Sequence, residues 1–270
     1  MMYQSVIGRN NIALIYNGKL MGRHIYSLAP YTIRLEFTKA DYHPYIPSPV
    51  PIPASAWTKV EGVSTNQWDL YWPYSDWSEL FKGFDAGTHE GGGQNDETYR
   101  IIDAGDLSGV TNMRETFWGS YITETCWFDT SNVTDMNSMF RGATRLVNPP
   151  DLITNKVTDM GYMFDECYSI TEAPALTSTK NVTNMESMFH NCIELRHVPL
   201  LDVNSLENFA YAFYNCPKVE SGALAMYNAA SQKIPAADTS KYEGAFTDCG
   251  RDTVTGAAEL AQIPDSWKAI

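Results

Sequence analysis

The sequence predicts an α/β solenoid: a short, curved stack of five to six turns, each with one short strand and one short helix. Two observations predict it. A motif of 23–25 residues recurs between residues 99 and 220, and apolar residues recur at the same place in each copy, so that neighbouring copies share one core. We expect a β-hairpin and strand segment that could serve as an assembly anchor (1–38), a proline-rich loop with a tryptophan-rich cap (39–98), the repeats (99–220), and a C-terminal cap with a degenerate sixth turn (221–270).

The repeats are marked by an anchor residue with a phenylalanine four positions later. The motifs read GVTNMRETF, NVTDMNSMF, KVTDMGYMF and NVTNMESMF, with NSLENFAYAF as a weaker fifth copy. Anchor and phenylalanine are the pairs Met113 and Phe117, Met136 and Phe140, Met160 and Phe164, Met185 and Phe189, and Phe209 and Phe213. We expect each pair to lie on one face of a short helix, because residues four apart are neighbours there.

A small residue follows three positions after each phenylalanine, and in three copies it is Cys167, Cys192 or Cys216. The residues after it suit an extended segment that pairs with its equivalents about 4.8 Å away. The Thr-Asn or Thr-Asp pair before the anchor supplies helix-capping oxygens, which explains this position better than calcium binding. A buried column explains the cysteines better than a zinc site, which needs closely spaced pairs.

The segments that flank the repeats suit caps. Tyr242, Phe246 and Cys249 repeat the spacing of the motif in a lengthened turn, residues 221–232 are rich in alanine and predict a longer helix, and 257–263 with Trp267 would complete the lid. Residues 66–80 carry three tryptophans that suit a plug at the other end.

The N-terminal third predicts strands. Asn17-Gly18 favours a tight hairpin turn, and alternating Ile33, Leu35 and Phe37 favour a half-buried strand. Five prolines between residues 44 and 53 indicate an extended loop or linker. Residues 1–30 are the expected assembly contact.

Composition excludes several functions. The net charge of -13 and the lack of a Lys/Arg cluster disfavour nucleic acid. The longest apolar run near the start is too short for a membrane span or a secretory signal, and no anchor is evident at the end, so we expect no membrane insertion.

Catalytic signals are weak. A nucleophile built from Cys192 and His190 is conceivable, but a thiol that recurs in three turns indicates packing. Gly91-Gly92-Gly93 has no following helix or lysine and is interpreted as a loop. We expect no enzyme activity, cofactor or metal. The candidate ligand contacts are outward residues of the extended segments, for which an ordinary solvated face is the competing interpretation: Arg145, Tyr168, Glu172, Glu194, Arg196 and His197.

The motifs NVTDMNSMF and NVTNMESMFHNC resemble the BspA-like bacterial surface repeat of about 25 residues, a leucine-rich-repeat subclass. The flanks YTIRLEFT and NCPKVESGALAMYNAAS resemble a version found in gut bacteria and their bacteriophages. The resemblance implies a non-catalytic protein that binds host-surface proteins or glycans.

Two settings remain open. The first is a bacteriophage virion protein (fibre, decoration or tail-associated) that assembles in the host cytoplasm, docks on other virion proteins through residues 1–30 and forms a homo-oligomer. The second is a bacterial cell-surface adhesin. The apparent lack of an export signal favours the first.

Overall fold

The computed structural model describes the backbone of strands within residues 4–25 and both backbone and side chains of residues 28–38, 52–83 and 98–269. The predicted hairpin turn at residues 17–18, the prolines at 44–51 and the glycines at 91–93 lie outside the described residues.

Three strands near the N-terminus form a sheet of their own. They are β1 (Gln4–Gly8), β2 (Asn11–Tyr16) and β3 (Lys19–Ile25). The order is β1-β2-β3 and both pairings are antiparallel. Tyr16 pairs with Lys19, so the two strands flank the sequence at which a tight turn is predicted.

A mixed five-stranded sheet precedes and enters the repeats. Its strands are β4 (Thr32–Phe37), β5 (Trp57–Lys59), β6 (Asn66–Tyr71), β7 (Tyr99–Ala104) and β8 (Ile122–Thr125). The order is β5-β6-β4-β7-β8, with a parallel pairing only between β7 and β8. Ile33, Leu35 and Phe37 of β4 are buried against the common core. The period-two alternation therefore places one face of β4 on that core.

The repeats stack their phenylalanine rings in one continuous column, which we call the Phe ladder. Successive ring centroids lie 5.1–5.9 Å apart and the rings are within 16° of parallel. The ladder consists of Phe81, Phe117, Phe140, Phe164, Phe189, Phe213 and Phe246. Phe81, directly after the segment expected to be a plug, extends the ladder towards the N-terminus, and Phe246 extends it into the C-terminal segment.

Backbone hydrogen bonds alternate along each repeat. The N–H groups of Met113 and Phe117 donate to carbonyls of the following repeat, at 3.0 and 2.8 Å. Between them, the N–H of Thr116 donates to the carbonyl of Met113 in its own repeat, at 3.3 Å. Between the anchor and the small residue of each motif, donors to the neighbouring repeat thus alternate with donors that close local turns, which satisfies buried amides without a helix.

The predicted fold class is wrong. Within the described residues, the repeats contain no α-helix: α1 (Ala223–Ala230) and α2 (Val254–Leu260) both follow them. The second residue after each anchor has positive φ, as in Glu115, Ser138 and Tyr162, with φ of 56–58°, and a left-handed residue interrupts a helix. The expected strands are mostly missing too: the first repeat has β8, whereas the segments after Cys167, Cys192 and Cys216 are turns joined by single bridges. The molecule is thus a mixed sheet followed by turn-rich repeats, without five to six helix–strand turns.

The C-terminal segment covers the last ring of the ladder. Trp267 packs its ring 6.3 Å from Phe246 and 4.4 Å from Tyr242, and the segment is closed by α1, α2 and a 3-10 turn (Asp265–Trp267). Cys249 and Ile263 are buried in the same core. This apolar layer keeps the end of the column dry, as stacked repeats require.

Candidate functional site

The predicted structural columns lie in the interior. All of their residues are at most 1% exposed: Met113, Phe117, Met136, Phe140, Met160, Phe164, Cys167, Met185, Phe189, Cys192, Phe209, Phe213 and Cys216. Burial raises the pKa of the Cys216 thiol to about 12 and raises the pKa of the Cys192 thiol well above its ordinary range. These thiols are protonated at neutral pH and shielded from solvent, so they are not activated nucleophiles.

His190 does not pair with Cys192. Its Nδ1 lies 2.7 Å from an Oδ1 of Asp165, whereas the thiol of Cys192 donates to the carbonyl oxygen of Phe164 at 3.1 Å. His190 and Cys192 therefore take part in separate interactions and do not form a nucleophile–base pair.

The predicted ligand residues lie on the surface of the repeats, and most of them contact the neighbouring repeat. Glu172 pairs with His197 at 3.0 Å, which brings two predicted residues together. Glu194 pairs with Lys218 at 2.6 Å, and the guanidinium of Arg196 pairs with Glu220 at 2.7 Å.

The other two predicted residues differ from each other. The guanidinium of Arg145 lies over the Tyr121 ring at 5.2 Å. Tyr168 exposes 39% of its surface. We call the six residues Arg145, Tyr168, Glu172, Glu194, Arg196 and His197 the lateral face. It is an ordered polar surface, and its charges are mostly compensated between neighbouring repeats.

A second row of side chains, not expected from the sequence, occupies the fifth position after each anchor. We call it the cation–aromatic row, and its members are Trp118, Arg141, Asp165, His190 and Tyr214, together with Lys82, which lies five positions after Trp77 in front of the first repeat. Lys82 Nζ lies 4.0 Å from the Trp118 ring centroid, and the Arg141 guanidinium lies 5.3 Å from the same ring. At the far end, the His190 and Tyr214 rings are 5.1 Å apart. Each member contacts the next, which makes a continuous line of cation–π and ionic contacts.

Asp165 is the centre of this row. Its side chain is 3% exposed, and it accepts from Arg141 Nε at 2.9 Å as well as contacting His190. A buried carboxylate is costly unless it is paired. The two partners satisfy it, and Arg141 is held against the rings of Trp118 and Tyr162 at the same time.

A sequence signal for the row does exist. Each of the five members within the repeats follows its anchor by five positions, which is as regular as the spacing of the phenylalanines. The residue types differ from copy to copy, however, so a search for recurring identities overlooks them. The row becomes visible only when the residues five positions after successive anchors are compared for complementary charge and aromatic character.

The polar residue before each anchor caps a turn rather than a helix. Asp135 Oδ1 accepts from the N–H of Asn137 at 2.8 Å, and Asp159 Oδ1 accepts from that of Gly161 at 2.8 Å. Burial raises the pKa of the Asp135 carboxyl.

Within the described ranges, no group of three or more His, Cys, Asp or Glu side chains could hold a metal ion. Nor is any helix of the described residues long and apolar enough to cross a membrane.

A family model described as "Mycoplasma protein of unknown function, DUF285" matches residues 92–199 and again residues 124–227, so the two overlapping matches span half of the chain. The chain belongs to the DUF285 family. No curated protein and no solved structure matches it.

The DUF285 matches cover β7, β8 and the Phe ladder from Phe117 to Phe213. They include both the lateral face and most of the cation–aromatic row. They leave out strands β1–β6 and the residues after 227, which lies within α1. The DUF285 description assigns no activity to these features.

Proposed function

We propose that this chain is a non-catalytic surface-binding protein, which recognises a host-surface protein or glycan through the lateral face. One observation carries the proposal: most side chains of this face contact partners on the adjacent repeat. Binding normally costs about 0.5–1.5 kcal/mol for each long side chain that becomes immobilised. Side chains that are already ordered, such as Arg196 on Glu220, avoid much of that cost.

The interior of the repeats supports the same proposal. The Phe ladder and the thiols are buried in one continuous core, which gives the exposed residues a rigid support. Arg141, Asp165 and His190 satisfy one another and need no substrate to complete them.

Within DUF285, we place the chain with the BspA-like repeat surface proteins, on the strength of the motifs NVTDMNSMF and NVTNMESMF. We further propose a bacteriophage particle as its setting, with docking through residues 1–30 on other virion proteins and assembly as a homo-oligomer. The alternative is a bacterial cell-surface adhesin. The resemblance of the flanks to bacteriophage versions supports the first setting.

Binding to cells tests the main proposal. Fluorescently labelled protein is titrated onto a panel of intact gut bacteria and measured by flow cytometry. Arg145→Ala with Arg196→Ala should lower the affinity about tenfold or more, since a few residues usually dominate an interface. Lys241→Ala with Arg251→Ala removes the same charge from the C-terminal segment and should leave binding unchanged. Equal binding by both double variants would refute the lateral face as the contact.

A further inference from the structure

An aromatic groove lies beside the start of the Phe ladder, away from the lateral face. One hollow of about 430 Å³ is lined by Pro53, Ser55, Ala56, Tyr71, Trp72, Pro73 and Tyr74. A second, of about 280 Å³, is lined by Trp72, Tyr74, Asp76 and Ser78. The two share Trp72 and Tyr74, and we treat them as one aromatic groove.

The fold positions this groove rigidly. Tyr71 is the last residue of β6 and pairs with Thr32 of β4. The Trp77 indole N–H donates to the carbonyl of Tyr74 at 2.9 Å, and Asp76 forms a parallel bridge with Asn112 of the next repeat. The 3-10 turn Ala54–Ala56 supplies the opposite wall. The segment that carries the aromatic side chains is therefore fixed at one end by β6 and at the other end by its contacts with the first repeat.

Aromatic surface is unusually exposed here. Tyr71 is 50% exposed and Tyr74 is 57% exposed. The rings of Trp72 and Tyr74 lie 4.8 Å apart at an interplanar angle of 58°, so they form two non-parallel walls. Exposed aromatic rings that are rimmed by polar groups mark a binding site rather than ordinary surface.

The charges at the groove select a neutral ligand. No Lys, Arg or His is among the described residues that line either hollow, in a chain of net charge -13, so these walls offer an anionic ligand no counter-ion. The one charged lining residue is Asp76, which already accepts from the N–H of Ser78 at 2.9 Å through Oδ1. Its carboxylate has further acceptor capacity for hydroxyl donors.

We propose that the aromatic groove binds a neutral oligosaccharide. The apolar C–H face of a pyranose ring packs on Tyr71, Trp72 or Tyr74, while the sugar hydroxyls donate to the Asp76 carboxylate. The inference rests on the proposed surface-binding function and gives it a ligand class, at a site separate from the lateral face.

A proline-rich peptide is the main competitor, because such peptides also dock in aromatic grooves. Two features disfavour it. Proline offers carbonyl acceptors and lacks an N–H, so it would leave Asp76 desolvated without a donor. The Trp72 indole N–H, which would have to donate to peptide carbonyls, is buried and has no hydrogen-bond partner among the described residues. A sugar that stacks on the ring face needs no contact with that N–H.

Isothermal titration calorimetry on the full chain tests the proposal, with maltohexaose, cellohexaose, mannohexaose, N-acetylchitohexaose and a decaproline peptide as probes. We expect at least one oligosaccharide to bind with a dissociation constant of about a millimolar or less, and to perturb tryptophan fluorescence. Tyr74→Ala should weaken that binding about tenfold or more through loss of the stacking surface. Asp76→Asn should weaken it several-fold, because an amide has one carbonyl oxygen in place of two charged acceptors.

Two matched controls accompany these variants. Val254→Ala removes an exposed apolar side chain of α2, outside the groove and the lateral face, and Asp106→Asn alters an aspartate that makes the same turn contact, with Ser108 N–H at 2.9 Å, outside the groove. Both should bind the oligosaccharide as the unaltered chain does. Binding of decaproline alone, no oligosaccharide binding, or equal binding by Tyr74→Ala would overturn the proposal. If oligosaccharide binding depends on Tyr74 while cell binding ignores the lateral-face variants, the groove stands and the lateral-face proposal fails.

Discussion

The thiol of Cys192 donates a hydrogen bond of 3.1 Å to the carbonyl oxygen of Phe164, in the preceding repeat. Cys167 and Cys216 make the same contact with Phe140 and Phe189, at 3.0 Å each. A small side chain with a weak donor thus fills the space beside the ladder and satisfies a second lone pair of each phenylalanine carbonyl. The repeated thiols are structural because they are placed to join repeats.

Alkaline pH should destabilise the protein through these thiols. Burial raises the pKa of Cys216 from 9.0 to about 12, so the folded state keeps its proton where the unfolded state loses it. The stabilisation is complete below pH 9 and decreases between pH 9 and 12, with a maximal slope of about 1.4 kcal/mol per pH unit for one group. Urea unfolding at pH 8–11 should show a shallower decline for Cys216→Ala than for the unaltered chain. Identical slopes would contradict a buried, protonated thiol.

Truncation of a ladder ring should be strongly destabilising. Phe164 lies 5.6 Å from the Phe140 ring and 5.2 Å from the Phe189 ring, and it is fully buried. Phe164→Ala or Phe189→Ala opens a cavity inside the column, and either should cost about 3–5 kcal/mol. Chemical denaturation measures the loss. Tyr168→Ala, at an exposed position, serves as the control and should change stability little.

Removal of the N-terminal sheet should separate folding from assembly. β1, β2 and β3 form a sheet of their own, whereas the carbonyl of Ala29 accepts from Thr32 N–H at 3.2 Å at the entry to β4. Deletion of residues 1–27 keeps that contact. We expect an unchanged melting temperature for the remainder and a loss of oligomers by light scattering. Oligomers that persist in the truncated chain would rule out this segment as the assembly contact.

The spacing of the repeats can be predicted from the sequence, whereas their backbone conformation cannot. Met136 and Phe140 are four residues apart whether they share a helical face or two consecutive turns, so the pattern fits both. The feature that decides is the left-handed residue between them, Ser138, and serine gives no sign of positive φ. Glycine at the sixth position, as in Gly119 and Gly142, is the one residue type that signals a turn, and other repeats place Glu166 or Asn191 there.

The candidate sites differ in how far the sequence could reveal them. The lateral face follows from the register of the repeats alone. The aromatic groove needs β6, the 3-10 turn and the first repeat to meet in space, and Tyr71 and Tyr74 have no regular relation to the motif. The segment that contains them is predicted to be a plug, and its Trp68 and Trp77 are buried in the common core. Nothing in the sequence separates these buried rings from Tyr71 and Tyr74, which the structure exposes.

Gly142, the sixth residue after its anchor, has a left-handed backbone conformation with φ of +66°. This conformation predicts which substitutions at Gly142 cost the most stability. A Cβ added there would lie 3.6 Å from Gly119 Cα, which is ordinary contact, so the cost comes from the backbone. Gly142→Val should cost about 1–2 kcal/mol. Gly142→Asn should cost less, because asparagine tolerates this conformation and occupies the equivalent position as Asn191 and Asn215. Melting temperatures of the two variants test the order, and a more stable valine variant would refute it.

Arg141 and Asp165 should be energetically coupled. The carboxylate is almost fully buried, and removal of Arg141 leaves it with the contact to His190 Nδ1 at 2.7 Å. Because a third of the Arg141 side chain is exposed, solvent screening reduces the coupling, and we expect about 1–2 kcal/mol. A double-mutant cycle of Arg141→Ala and Asp165→Ala measures it while cancelling the contacts that Arg141 makes with Trp118 and Tyr162.

The pair Arg196 and Glu220 is the matched control for that cycle. It also joins neighbouring repeats, at 2.7 Å, but both side chains are more than 40% exposed. Exposed ion pairs contribute less because water and salt screen them, so its coupling should be smaller, about 0.2–0.5 kcal/mol, and should decrease further in 0.5 M NaCl. The Arg141–Asp165 coupling should persist in the same salt. Equal coupling energies for the two pairs would mean that burial of Asp165 adds nothing, and that the cation–aromatic row is no stronger than the lateral face.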